Sequence, residues 1–157
     1  SLCCEFEAFL YKHGADIFHD SAQKHDLLMG VGQKLPTTVS VALGMTLKEH
    51  QINFNDISSH STLTSLYGIL AMARVHNQNP RTYAEIMATE GDGRKIVKSF
   101  ATNLLHLIEL AENGQIDTLQ SIMDENRQVM PSEFLQSRMR QAKAVDEILS
   151  QPNMKMG

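Results

Sequence analysis

Two cysteines are all that this sequence contains, and they are adjacent, Cys3 and Cys4. A ring closed by vicinal cysteines is strained, which excludes a disulfide framework and leads us to expect reduced thiols in a cytoplasmic setting. No apolar run approaches the roughly 20 residues that cross a bilayer, and no basic start with an apolar centre marks a signal peptide, so no membrane partner is expected. Basic residues are too few for a phosphate-binding stripe: 14 Lys and Arg stand against 18 Asp and Glu, a formal net charge of -4. Nucleic acid is excluded as a partner on that ground. Internal repeats and low-complexity segments are absent as well, which excludes solenoids and long disordered linkers. The first residues enter directly on an amphipathic pattern without a start methionine, so the chain reads as cut from something longer.

What is present is apolar periodicity. With 157 residues, 42% of them hydrophobic, the chain is long enough for one compact domain. Phe6, Phe9 and Leu10 with Gly14 behind them predict a helix over 2–13, and Ala15 to His19 then reads as a short strand. From Asp20 or Ser21 a long helix is expected to run to about Gln51, on Leu28, Val31, Leu35, Val39 and Leu47. Pro36 inside it removes a backbone donor, so a kink near 34–37 is expected. Asn53 to Ser59 reads as a polar connection. Further helices are expected over 61–76, 81–89, 94–112, 117–129 and from Ser132 onward, with the chain frayed beyond Gln151. The Gly91-Asp92-Gly93 turn reads as a flexible joint. The fold class is therefore all-α in the main, with a short α/β remnant at the N-terminus. The expected boundary falls at residue 20, with a helix-and-strand remnant over 1–20 and a helical domain over 21–157.

Chemistry-bearing motifs are sparse. A nicotinamide site needs a glycine-rich turn between a strand and a helix, and neither Gly30-Val31-Gly32 nor Gly91-Asp92-Gly93 has the preceding strand. No cofactor is expected on this fragment alone. The seven histidines include His13, His19 and His25, spaced by six, and no His-Glu-x-x-His or Cys-x-x-Cys occurs, so no metal is assigned. Arg74 is the informative charge. Its neighbours Ala71, Met72, Ala73 and Val75 are apolar, so its guanidinium must either reach water along its stem, pair with a protein carboxylate, or meet an anionic ligand. His25-Asp26, at the start of the long helix, reads as a first-turn pair favoured by the helix dipole.

The run SAQKHDLLMGVGQKLPTTVSVALGMTLKE, from Ser21 to Glu49, resembles the segment of prephenate and arogenate dehydrogenases in which a His-Asp pair opens a long helix. The run MARVHNQNPRTYAEIM, from Met72 to Met87, resembles the next block of that family, an arginine followed by Asn-Pro and an aromatic residue. The resemblance implies that Arg74 binds a substrate carboxylate through a bidentate pair. It also implies that Lys34 and Thr37 face the substrate pocket and that Tyr83 lies near it. Thr37 stands where the family often has histidine, and a threonine can donate a hydrogen bond but cannot hold a charge.

The activity implied is oxidative decarboxylation of prephenate or arogenate with NAD or NADP, in tyrosine biosynthesis. The cofactor and the catalytic histidine would lie in an N-terminal domain, while this part forms a homodimer and contacts the small-molecule substrate. A stand-alone helical dimerisation or regulatory module is the alternative. An all-helical chorismate mutase would require several cations converging on a dicarboxylate, whereas Arg94, Lys95 and Lys98 read as a solvated face.

Overall fold

The computed structural model describes residues 2–150, apart from the side chains at 58 and 59. Its regular elements are helices in the order α1 (Leu2–Lys12), α2 (Ala22–Met29), a π-helical turn (Gly30–Lys34), α3 (Leu35–Glu49), α4 (Phe54–His60), α5 (Leu63–His76), α6 (Pro80–Ala88), α7 (Gly93–Glu112), α8 (Ile116–Val129) and α9 (Ser132–Leu149). The all-α fold follows from the 3.6-residue apolar period. What was expected beyond Gln151 lies outside the described residues.

The helix ends are set by side-chain caps. Ser21, Asn53, Thr62 and Asn79 each accept a hydrogen bond from a backbone N–H in the first turn of the helix that follows, satisfying donors that the helix itself leaves free. At the other ends, Gly14 (φ +85°) stops α1 and Gly114 (φ +64°) stops α7.

Two expectations need correction. No strand forms over 15–19, which carry no regular structure. A strand must exchange backbone hydrogen bonds with a neighbour, and the described residues offer none. Asn53 to Ser59 is not a connection either: the Asn53 side chain accepts from Asn55 N at 3.1 Å and starts α4. The irregularity expected over 34–37 begins earlier. Gly30 to Lys34 adopt the wider π geometry, which places Pro36 in the first turn of α3, where its missing N–H leaves no bond unmade.

The rod formed by α2, the π turn and α3 is the spine. Helix α5 packs along α3, α7 crosses the π turn, and α6 lies against α3 and the π turn. The α7 crossing is close because two glycines meet there: a Cβ on Gly30 would lie 2.7 Å from Gly93 Cα.

The interior is small. Met72 and Leu110 are the buried hydrophobic residues, and three polar residues, Lys34, Thr37 and Ser40, are equally deep. Spaced by three, these polar positions follow one face of the spine. The chain exposes 13090 Å². A closed monomer of its 17.6 kDa would expose about 7,900 Å². Leucines 104 and 105 of α7, Met123 of α8 and Phe134 of α9 are among the exposed apolar side chains.

Candidate functional site

Lys34 ends the π turn and sends its ammonium across to the C-terminus of α6. There it donates to Ile86 O, to Met87 O at 3.1 Å and to Thr89 O at 2.8 Å. An ammonium has three N–H donors, so the group is fully used on carbonyls that the helix end leaves unpaired. Arg94 adds to the same end, donating to Ala88 O and, from Nε, to Thr89 O at 3.2 Å, while Glu90 lies 3.6 Å from its Nη1. Two cations on the negative end of a helix are favourably placed. They are close to each other, however, and burial first and the Arg94 guanidinium second hold Lys34 below the ordinary lysine range.

The other residues singled out in the sequence lie on the surrounding helices. Thr37 is buried one turn beyond Lys34 on α3, and Tyr83 is half-buried on α6, the helix that Lys34 caps. Arg74 is exposed on α5 and pairs with no carboxylate among the described residues. Its apolar sequence neighbours therefore do not enclose it. The structure brings Lys34 to α6 beside the helix of Thr37, and it places Arg74 on the helix that packs along α3.

Asp26, from the His-Asp pair, reaches the Gly91-Asp92-Gly93 turn. A Cβ on Gly91 (φ +126°) would lie 2.8 Å from Asp26 Oδ2, so this turn is packed against the spine. Asp92 pairs with Lys95, and that hydrogen bond holds its carboxyl below the usual range.

A second feature escaped sequence reasoning. Between α3 and α5 runs an apolar cleft of about 540 Å³, lined by Val41, Gly44, Met45, Phe54, Met72 and Ala73 among others. His76 borders it, its Nδ1 bonded to Met72 O at 2.8 Å. Gly44 makes the approach possible, since a Cβ there would meet the His76 ring at 3.0 Å. The hint in the sequence was Gly44 itself, a glycine in the interior of a helix.

Gly30 and Gly32 sit within the π turn and Gly91 and Gly93 between two helices, so no strand feeds a glycine-rich turn among the described residues. Among the described residues, no group of three or more His, Cys, Asp or Glu could hold a metal ion, and no helix is long and apolar enough to cross a membrane.

Comparison with known proteins agrees with this architecture. The chain is 27% identical over 143 residues, 91% of its length, to a probable arogenate/prephenate dehydrogenase of Methanocaldococcus jannaschii, and covers 32% of that protein. It thus spans about a third of the length of the curated relative it matches. No solved structure matches it significantly. Residues 21–125, from the cap of α2 into α8, match the family described as prephenate dehydrogenase, dimerization domain, and the chain belongs to that family.

Proposed function

We propose that this chain is the dimerising, substrate-contacting part of a prephenate or arogenate dehydrogenase that acts in tyrosine biosynthesis in the cytoplasm. Arg74 carries this reading: its guanidinium is exposed on a helix packed along the spine, has no carboxylate partner among the described residues, and is free to clasp a substrate carboxylate. Tyr83, half-buried on α6, would offer a neutral group to the same substrate, and Thr37, buried on α3, would shape the pocket wall from beneath. Lys34 would act from behind, by fixing α6, since its donors are already engaged. Holding the substrate in one orientation is the chain's share of catalysis.

The large exposed apolar surface supports a homodimer as the working form. The oxidant of the family's reaction, NAD or NADP, would be held by an upstream nucleotide-binding domain, of which 1–20 would be the end.

The test is to assay the intact protein with prephenate and with arogenate, each with NAD and NADP, beside the isolated chain. Turnover by the intact protein alone is expected. No turnover of either substrate would leave a helical dimerisation module without catalysis.

A further inference from the structure

The α3–α5 cleft carries two basic groups, one from each helix, and no acid: Lys48 of α3 and His76 of α5 line it, and none of the residues lining it is Asp or Glu. Lys48 forms no ion pair among the described residues. His76 is oriented through its other nitrogen. The carbonyl of Met72 can only accept, so Nδ1 carries the proton of their 2.8 Å bond, and Nε2 is left without a partner on the side of Gly44.

Between these basic groups the lining is thioether, ring and hydrocarbon. Met72 is buried there, while Met45 and Phe54 are exposed and can be reached from solvent. Thioethers and a phenyl ring favour an aromatic guest. Apolar walls with a few placed polar groups are the pattern of small-molecule sites, which span about 300–1,000 Å³. This cleft, at about 540 Å³, lies within that range.

The geometry points to a binding site for an arylalkyl carboxylate, its ring among Met45, Phe54 and Met72 and its carboxylate at Lys48 and His76. An ammonium on the same skeleton would face two basic groups and no acid, so the corresponding amino acid is selected against. Arg74 does not line the cleft, so this site is additional to the substrate contact proposed above and does not depend on it.

The test uses the intact protein with methyl-labelled methionine. Phenylpropionate is the probe, and phenylpropanol and phenylalanine are its uncharged and ammonium-bearing counterparts. Saturable ring-current shifts of the Met45 and Met72 methyl signals, assigned through Met45→Leu and Met72→Leu, are expected with phenylpropionate. Its affinity should exceed that of either counterpart about fivefold or more, the upper range of an exposed ion pair. Lys48→Gln, at an exposed position, should weaken phenylpropionate about fivefold and leave phenylpropanol unmoved. Equal affinity for acid and alcohol would overturn the proposal, as would phenylalanine binding as tightly or an unchanged affinity in Lys48→Gln. Methyl signals that no concentration of probe moves would overturn it too, and would mean that another part of the protein or a second copy fills the cleft.

Discussion

Gly30 and Gly93 touch backbone to backbone where α7 crosses the spine, and Gly32, two residues away, touches nothing: a Cβ there would meet no atom within 4 Å. The two positions should therefore answer alanine in opposite directions. Gly30→Ala must push the helices apart, costing about 1–3 kcal/mol. Gly32→Ala should be neutral or stabilising by up to about 1 kcal/mol, from lost freedom in the unfolded chain. Urea midpoints at one fixed chain concentration would check this, and equal losses at both sites would show that the close crossing does not form.

Lys34→Met takes the ammonium donor from the carbonyls of Ile86 and Met87 and leaves Thr89 O with Arg94 alone. A loss of about 1–3 kcal/mol is expected, the usual cost of an unsatisfied buried polar group. The pH dependence has a definite sign. Folding lowers the Lys34 pKa below the ordinary 10.5, so the unfolded chain binds more protons over that interval. Stability should rise with pH between the folded value and 10.5, and Lys34→Met should abolish that slope.

Tyr67 slopes the other way. Its single O–H is shared between Asp146 Oδ1 at 2.7 Å and Ala142 O at 3.1 Å, fastening α9 to α5. The Asp146 hydrogen bond first, then burial and the aspartate's charge, raise the phenol above its ordinary 10.0. This contribution is present below 10.0 and disappears as the pH climbs through the folded value. Following tyrosinate absorbance, one tyrosine should ionise late in the wild type and earlier in Asp146→Asn. A titration unmoved by that substitution would mean that α9 is not held there.

On the proposed function, Arg74→Ala in the intact protein should raise KM for prephenate or arogenate about tenfold to a hundredfold, the range of a charge-assisted hydrogen bond. Arg74→Lys should recover part of the loss, because an ammonium supplies the charge without the fork. An unchanged KM in both variants would dismiss the carboxylate contact.

The helices were legible in the sequence because each carries its own period and its own punctuation: Ser21, Asn79-Pro80, Asn113-Gly114 and Met130-Pro131 mark ends that lie within a residue or two of those found. Helix α4 was not, since FNDISSH has too few apolar positions to show a face. The cap on α6 was invisible for another reason. Lys34 and the carbonyls it serves are separated by more than 50 residues, and backbone acceptors leave no signature in side-chain identity. The apolar neighbours of Arg74 left open whether its guanidinium reaches water, and on α5 it does. Its proposed role comes from the family resemblance and not from spacing.

So small an interior makes concentration a structural variable. On the homodimer reading, a protein whose deepest positions include a lysine, a threonine and a serine would draw much of its folding free energy from association, by mass action. Dilution should act on it as heat acts on a self-contained globule.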